Sequence, residues 1–412
     1  MAELVELDIE KVGAQGDGVA AGSVFVPLTL AGERVRARVE GGRAEAVEIL
    51  RASPERVEPV SPHYGDCGGC SLQHWAHGPY LAWKAEQVRL ALGRERIETD
   101  ILAPFAAAPR TRRRLALHAR KGRGGAVVGF KARRSWRLVE VRTCPIADPR
   151  LEAAFPALEK LAEPFLEHPK SAPTLHVTWT ATGLDVDVTG VERRSGGLSA
   201  DARMRAAEAA SAGDMARVTL AGEIVYLARQ PMVRLGLATV ALPPGAFLQA
   251  VPQAEEAMAQ FAVEAVAGAS RLADLYCGVG TFTFRLAQVA PVLAADSSAA
   301  AIAALKGAVA SAPGLKPIAA EARDLVRRPV LAMELARIDA VVLDPPRAGA
   351  LEQVGEIARS TTARVAYVSC NPATFARDAR VLVDAGFTLD RVLPVDQFLW
   401  SPHIELVGVF SR

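Results

Sequence analysis

The sequence lacks the features that mark several classes of protein. No uninterrupted apolar run approaches the ~20 residues that a membrane-spanning helix requires. The first residues, MAELVELDIEK, are acidic and alternate in polarity, unlike a secretory signal. The sequence has neither a low-complexity segment nor an internal repeat, and its five cysteines are an odd number. We therefore expect a protein of the reducing cytoplasm that makes no contact with a membrane.

The sequence also has little net charge. Its formal charge is +2 over 412 residues, so a surface for nucleic acid has to be a local cluster of cations. Basic residues crowd the stretch 110–137, with Phe130 and Trp136 among them. Arginine mixed with aromatic residues suits phosphate contacts and base stacking, which favours RNA or DNA over the alternative of a solvated basic hairpin. The phosphate contacts that we predict are Arg112, Arg113, Arg114 and Lys121.

The chain is long enough for two or three domains. Residues 1–53 contain short strands separated by glycine turns, a pattern that fits a barrel of the oligonucleotide-binding (OB) type and a generic β module equally well. Residues 54–242 mix helices and strands, which predicts an α+β region, with a hairpin formed by Leu175–Thr178 and Leu184–Val188. From residue 243 strands alternate with helices, which predicts an α/β domain with a parallel sheet covered on both faces. The strands predicted there are Leu272–Tyr276, Val292–Asp296, Pro317–Ala320, Ala340–Leu343, Val365–Val368 and Ile404–Phe410, and the helices are Gln253–Ala267, Phe282–Ala287, Ala299–Ala310, Leu351–Arg359 and Thr374–Ala385.

Three cysteines form a candidate metal site. Cys67 and Cys70 form a C-x2-C pair among glycines, and Cys144 is the next cysteine along the chain. Such a group could ligate zinc or an iron–sulfur cluster, and it leaves a fourth position open. A redox pair is an alternative, but no thioredoxin-like pattern surrounds these residues. The remaining alternative is three unrelated thiols.

A glycine loop in the last region predicts a nucleoside cofactor. In DLYCGVGTF, Asp274 ends a predicted strand, and Gly278 and Gly280 form the turn. Thr283 stands where a dinucleotide fingerprint has its third glycine, which weakens the case for NAD. Asp296 ends the next predicted strand, where a carboxylate can accept two ribose hydroxyls. S-adenosylmethionine fits a nucleoside site of this kind.

Two further motifs indicate the reaction. LDPPRAG places Asp344 at a strand end, and SCNP places Cys370 at another. A thiolate can add to C6 of uracil and make C5 nucleophilic, after which a base has to remove the C5 proton. Glu405, at the start of the last predicted strand, is our candidate for that base. The alternatives are a core cysteine, a surface glutamate, and a DPP loop that serves methylation of an amino group.

With DLYCGVGTF, DPPRAG, SCNP and HIE in this order, the chain resembles the RNA uracil-5-methyltransferase family over nearly its whole length. The resemblance implies an N-terminal TRAM domain of the OB type at 1–53 and a central domain with a [4Fe-4S] site at 54–242. It also implies a Rossmann-like S-adenosylmethionine-dependent methyltransferase domain at 243–412.

The resemblance also implies roles for individual residues. Cys370 matches the family nucleophile and Glu405 the family base, and Cys67, Cys70 and Cys144 match the cluster ligands. The positions that match the cofactor contacts of the family are Gln249, Tyr276, Thr281, Asp296, Asp324 and Asp344.

The sequence departs from the family pattern at three positions. Ser61 stands where the family has the first cluster cysteine, while Thr281 and Val251 each replace an asparagine. The first departure leaves only three thiolate ligands. The other two change hydrogen bonding near the cofactor and leave the reaction class intact.

We weigh three functions. The first is 5-methyluridine formation in RNA by a monomer with no obligate protein partner. Ribosomal RNA is favoured over transfer RNA because that branch of the family more often carries both the TRAM domain and the cluster motif. The second is methylation of cytosine C5 or of an exocyclic amine, although LDPPRAG lacks the cysteine expected for a cytosine enzyme. The third is a non-catalytic RNA-binding protein.

Overall fold

The computed structural model of the protein describes residues 3–192 and 198–412. The chain begins with five strands that form a closed barrel in the order β1-β2-β3-β5-β4. Val35 and Ala37 on the fourth strand are buried in the barrel, and the arginines between and beside them face outward. This closed barrel confirms the predicted OB-type fold. Its strands are β1 (Glu3–Val12), β2 (Gly18–Ala20), β3 (Val24–Val26), β4 (Arg34–Glu40) and β5 (Arg43–Arg51).

The middle of the chain builds a seven-stranded sheet in the order β10-β9-β8-β11-β12-β13-β14, with helices α2 to α4 packed on one face. The predicted hairpin within 175–188 is present as β11 and β12, which pair antiparallel. The elements of this part are α1 (His77–Arg94), β6 (Asp100–Ile101), β7 (Phe105–Ala106), β8 (Arg114–Gly122), β9 (Gly125–Lys131), β10 (Leu138–Glu140), α2 (Pro149–Ala153), α3 (Phe155–Phe165), β11 (Thr174–Thr180), β12 (Gly183–Thr189), α4 (Ala200–Ala212), β13 (Met215–Leu220), β14 (Glu223–Leu227), β15 (Met232–Leu235) and β16 (Ala238–Ala241).

The last part of the chain forms a nine-stranded sheet in the order β19-β18-β17-β20-β21-β23-β22-β6, with β7 beside β22. None of the described helices combines the length and the apolar character that a membrane crossing needs. The elements are α5 (Pro252–Ala265), β17 (Leu272–Leu275), α6 (Thr283–Leu286), β18 (Val292–Asp296), α7 (Ala299–Val309), β19 (Ile318–Ala322), β20 (Ala340–Leu343), α8 (Leu351–Arg359), β21 (Arg364–Ser369), α9 (Pro372–Asp384), β22 (Thr388–Asp396) and β23 (Glu405–Ser411).

The predicted parallel sheet is present, but it continues at one side with antiparallel pairing that was not expected. Strands β17 to β21 are parallel, but β23 runs antiparallel to both β21 and β22. Strand β22 contains Pro394, which masks its strand pattern in the sequence. A short connection, 397–404, then turns the chain back antiparallel, because a parallel return needs a longer crossover.

The parallel strands are buried on both faces, and this places polar residues at their ends. All four residues of β20 are fully buried: Ala340 and Val342 join one hydrophobic cluster, and Val341 and Leu343 join the other. Such strands are apolar throughout. The first polar side chain after β20, Asp344, therefore emerges at the carboxyl edge of the sheet, where α/β folds bind their ligands.

The barrel and the last sheet are bridged by α1, β6 and β7, which lie within the predicted range 54–242. Strands β6 and β7 pair with β22, and Lys84 of α1 forms a fully buried ion pair with Asp396 at the end of β22. Lys84 Nζ also donates hydrogen bonds to the carbonyl oxygens of Phe398 (3.2 Å) and His403 (2.7 Å). These bonds fix the 397–404 connection that leads into Glu405. The domain boundaries at 53 and 242 stay a prediction.

Candidate active site

A cavity of about 610 Å³ opens at the carboxyl edge of the parallel strands. Its size is typical of a small-molecule site. It is lined by every residue that the sequence predicts for catalysis or cofactor binding. These are Gln249, Tyr276, Thr281, Asp296, Asp324, Asp344, Cys370 and Glu405.

The glycine loop after β17 shapes one wall of this cavity. Gly278 and Gly280 have positive φ angles of 54° and 100°, in the region that favours glycine. A Cβ atom on Gly280 would lie 2.5 Å from the Phe284 ring. The loop therefore requires glycine at Gly280 for both its conformation and its close packing.

Asp296 is held in place by the same loop. One of its carboxylate oxygens accepts a hydrogen bond from the Gly278 backbone N–H (3.0 Å), and the other accepts one from the Ser298 N–H (2.8 Å). Asp324, on the far wall, accepts bonds from the N–H groups of Val326 and Arg327. Both carboxylates are thus oriented by backbone donors before any ligand binds.

A buried chain of hydrogen-bonded amide and carboxyl side chains connects Asp344 to Glu405, the predicted base. Gln249 Nε2 donates to Asp344 Oδ2 (3.1 Å). Gln397 Nε2 donates both to Gln249 Oε1 (2.7 Å) and to Glu405 Oε1 (3.1 Å), while Gln397 Oε1 accepts from the Ala250 N–H (3.0 Å). Gln397 therefore fixes the orientation of Gln249 and Glu405 together.

The sequence gives no signal for Gln397. It follows the end of β22 directly, and that strand was missing from the predicted set. With the strand in place, a polar residue immediately after it would have been a candidate by the same reasoning that selected Asp296 and Asp344.

Burial dominates the electrostatics of the cavity. It raises the pKa of Asp344 to about 7. Burial, together with the charge of Asp344, raises the pKa of Glu405 to about 8. Burial and then the charges of Glu405 and Asp344 raise the pKa of the Cys370 thiol to about 11, against a smaller lowering by Arg347. At neutral pH these shifts leave a protonated thiol at Cys370 and a largely protonated carboxyl at Glu405.

Cys370 lies between β21 and α9, and it is reached from two sides. Asn371 caps α9 by accepting a hydrogen bond from the Ala373 N–H, which sets the thiol at the turn. The half-buried Cys370 lines the large cavity and also a second one of about 180 Å³. Arg347 borders both cavities, and His403 borders the second. Cys370 thus borders two neighbouring cavities.

The three remaining predicted site residues meet elsewhere. Cys67, Cys70 and Cys144 line a separate cavity of about 320 Å³, together with Ser61 and His63. Burial raises the pKa of all three thiols, that of Cys70 to about 12. Among the described residues no group of three or more His, Cys, Asp or Glu side chains is arranged to hold a metal ion.

The structure therefore does not support the predicted zinc or [4Fe-4S] site at Cys67, Cys70 and Cys144. The donor set explains why: the fourth family ligand is replaced by Ser61, whose hydroxyl accepts a hydrogen bond from the His63 N–H (3.2 Å). A neutral hydroxyl is a poor substitute for a thiolate as a ligand to iron.

The predicted phosphate contacts need a correction. Arg113 is 8% exposed, forms an ion pair with Glu255 of α5, and donates to the Gln249 carbonyl (3.1 Å). Arg114 donates to the Leu248 carbonyl, and Arg112 donates to the Arg114 carbonyl (3.0 Å). Arg113 and Arg114 thereby join the central sheet to the segment that carries Gln249, and Arg112 supports the backbone of Arg114. The structure therefore leaves Lys121 as the one exposed cation of the predicted four.

Comparison with known proteins agrees with the motifs. The family described as tRNA (Uracil-5-)-methyltransferase matches residues 239–412. An RNA methyltransferase of Caulobacter vibrioides is 70% identical over 99% of this chain and 100% of its own length. The 23S rRNA (uracil(1939)-C(5))-methyltransferase RlmD of Alkalilimnicola ehrlichii is 33% identical over 100% of this chain and 97% of its own length.

A solved structure shares the fold over the whole chain. The tRNA (uracil-54, C5)-methyltransferase of Pyrococcus abyssi, in complex with S-adenosyl-L-homocysteine, superposes with a TM-score of 0.71. It covers 98% of this chain and 99% of its own, at 24% identity. From these relatives, the chain belongs to the S-adenosylmethionine-dependent RNA uracil-5-methyltransferase family.

Proposed function

We propose that this enzyme methylates C5 of a uridine in ribosomal RNA, with Cys370 as nucleophile and Glu405 as base. One observation carries the proposal. The Cys370 thiol and the Glu405 carboxyl line the same cavity as the carboxylates of Asp296 and Asp344. A nucleophile, a base and a nucleoside site within one cavity are what methylation of a uracil ring requires.

The chemistry of the cavity fits S-adenosylmethionine. The hydroxyl of Tyr276 is buried at the cavity wall and has no hydrogen-bond partner, so it is available to a ligand. The carboxylate of Asp296 suits two ribose hydroxyls, and we assign Gln249, Thr281, Asp324 and Asp344 to the remaining contacts. The cofactor supplies the methyl group when it is bound there.

The chain's own residues account for the chemistry at the uracil ring. As the Cys370 sulfur adds to C6, the thiol proton is released to solvent, and the electron pair of the C5–C6 double bond then makes C5 nucleophilic. Once C5 carries the methyl group, Glu405 removes the C5 proton. Those electrons re-form the C5–C6 double bond, and the thiolate leaves C6. Arg347, whose charge favours the thiolate, assists both the addition and the departure.

Ribosomal RNA is the substrate that we favour. The RlmD relative named for 23S rRNA aligns with the whole chain, including the N-terminal barrel. Transfer RNA is the second candidate, because the matching family is described by that substrate. The monomeric state and the cytoplasmic location stay predictions from the sequence.

A comparison of RNA from a knockout strain and its parent tests the proposal. Mass spectrometry of nuclease fragments would locate every 5-methyluridine in both strains. Loss of the mark at one ribosomal uridine would support reaction and substrate together. Loss from the transfer RNA T-loop would keep the reaction and replace the substrate. If no 5-methyluridine is lost, methylation of an amine or a non-catalytic role becomes the better account.

A further inference from the structure

A second surface of the central sheet has the chemistry of a nucleic-acid site. It is a groove of about 980 Å³ beside β8, β9 and the turn that follows β9. No aspartate or glutamate is among the described residues that line it. Its cationic and aromatic lining residues, which we call the basic groove, are Arg120, Lys121, Lys131, Trp136 and Arg137. In a protein with a formal charge of +2, this is a local concentration of positive charge.

The cations of the basic groove are available to a ligand. Within the described chain, Arg120, Lys121 and Lys131 have no carboxylate within ion-pair distance. Arg137 pairs with Asp66 at 2.8 Å, but both side chains are more than half exposed. An exposed pair of this kind contributes little stability and can be exchanged for a phosphate. The groove thus offers up to four cations to an anionic ligand.

Trp136 gives the basic groove a stacking platform. Its side chain is 88% exposed, and Lys131 Nζ lies 3.9 Å from the centre of its ring. An exposed indole in a cationic groove is the combination by which proteins hold single-stranded nucleic acid, because every base has a face that can stack.

Strand β8 connects the basic groove to the neighbourhood of the cavity of about 610 Å³ at the sheet edge, which we call the methyl-transfer cavity. On the face of β8 that points away from the core, Ala116, His118 and Arg120 follow Arg114, whose guanidinium bonds the Leu248 carbonyl. At the Arg114 end a smaller cavity of about 220 Å³ reaches Phe247 and Gln249, which also line the methyl-transfer cavity. Six residues of strand separate Arg114 from Arg120, a distance of about 20 Å. The side chains along β8 therefore extend from the small cavity beside Gln249, which Arg114 and Ala116 line, to the basic groove, which His118 and Arg120 line.

We propose that the basic groove holds a single-stranded segment of the substrate RNA that flanks the target uridine, with one base stacked on Trp136. The inference rests on the proposed function for the identity of the RNA. An acidic protein segment would also meet the cations, but it would leave the exposed indole without a role. The combination of phosphate-binding cations and a stacking face favours RNA.

Binding of a labelled oligouridylate of about 12 nucleotides tests the proposal directly. The test variant is the double substitution Lys121→Ala and Trp136→Ala. We expect its Kd to rise about tenfold or more, from one lost stacking contact and one lost phosphate contact. The slope of log Kd against log salt should fall by about 0.7 for the one cation removed. When Trp136→Tyr replaces Trp136→Ala in the double variant, the stacking face is kept, and most of the affinity lost with Trp136→Ala should return.

Lys306→Ala is the matched control, because Lys306 is an exposed lysine on α7, away from both cavities, and its loss changes the net charge equally. We expect its Kd to stay near that of the wild type. If the double variant binds as well as this control, the proposal is overturned, and an acidic protein segment becomes the better occupant. Both altered side chains are exposed, so unchanged thermal unfolding should accompany the loss.

The binding assay separates this inference from the proposed function. It needs no methyl transfer, so a wild type that binds through the basic groove but methylates no uridine would overturn only the function. A wild type that methylates uridine, with kcat/KM on long RNA unchanged in the double variant, would overturn only the groove.

Discussion

Two cavities of the molecule differ in how their residues are held in place. One is the methyl-transfer cavity, and the other, which we call the cysteine cavity, is lined by Cys67, Cys70 and Cys144. In the first, polar side chains leave several strand ends and are tied together by Gln397, Gln249 and the backbone N–H groups around Asp296. In the second, three thiols meet with burial raising the pKa of each, and the fourth position is Ser61. Proximity of reactive residues is therefore not enough, because a site also needs hydrogen bonds that hold those residues in a defined orientation.

The largest contrast between the two cavities should appear when one cysteine is removed from each. Cys370→Ala deletes the nucleophile, and we expect methyl transfer to fall by more than about 10⁴-fold. Cys67→Ala removes a half-buried thiol from the other cavity and should change kcat/KM by a few-fold at most. A methylation assay on RNA from the knockout strain measures both. Comparable losses in the two variants would contradict the division into an active and an inactive cavity.

The pH dependence tests the charge state of the methyl-transfer cavity. Glu405 acts as base only when ionised, and its pKa is raised to about 8. With a pKa of about 8, its ionised fraction rises about 50-fold from pH 6 to pH 8, so kcat/KM should rise by at least about that factor over this range. A profile that is flat over this range would exclude Glu405 as the titrating base.

The same raised pKa values predict how folding stability depends on pH. Between about pH 4.5 and 8 the folded protein keeps a proton on Glu405 that the unfolded chain has already lost. The free energy of unfolding should therefore fall as the pH rises through this window. Glu405→Gln should remove that part of the dependence and raise the melting temperature at pH 8. An unchanged melting curve at pH 8 would contradict the buried, protonated carboxyl.

Substitution of Gln397 should have a smaller effect on kcat/KM than removal of Cys370. Gln397→Ala removes the donor shared by Gln249 and Glu405, which leaves two buried acceptors without it, and we expect kcat/KM to fall about 10- to 100-fold. As a positioning residue, Gln397 should also shift the pH profile, because its hydrogen bond lowers the pKa of Glu405. A lower kcat/KM with an unshifted profile would point to a purely structural role.

The explanation for the cysteine cavity can be tested by adding the thiol that the family has at position 61. Ser61 lines that cavity beside the three cysteines, so Ser61→Cys supplies a fourth thiol. We expect the variant to retain iron and sulfide after anaerobic reconstitution, whereas the wild type should retain little. Iron and labile sulfide analysis, with Ser61→Ala as control, measures this. A stable cluster in the wild type would show that three thiolates suffice.

The sequence predicted the fold best where strands are buried on both faces. Strands β18 and β20 and helix α8 have the bounds expected, because their apolar runs end at clear polar residues. All eight residues predicted for catalysis or cofactor binding line the methyl-transfer cavity, because each lies in a motif or follows a recognisable strand. Strand β22 was missed because Pro394 interrupts its pattern, and the antiparallel edge and Gln397 were missed with it.

Burial of charged residues was the main feature that the sequence did not predict. The run Arg112, Arg113 and Arg114 has the composition of a phosphate-binding patch, but partners distant in the chain, such as Glu255 and the Gln249 carbonyl, draw it inward. Composition cannot distinguish an arginine that faces solvent from one that joins two parts of a fold. The tertiary contacts show that the exposed basic residues are those of the groove around Trp136.

The most direct test of the account is a covalent adduct between protein and RNA. With Glu405→Gln the base is lost while Cys370 is kept, so the reaction should stop after thiol addition and methylation. Incubated with S-adenosylmethionine and labelled RNA from the knockout strain, the variant should give a slowly migrating band on a denaturing gel. The double variant Glu405→Gln with Cys370→Ala should give none. If Glu405→Gln binds RNA and cofactor like the wild type but forms no adduct, then Cys370 and Glu405 do not act on the same uracil.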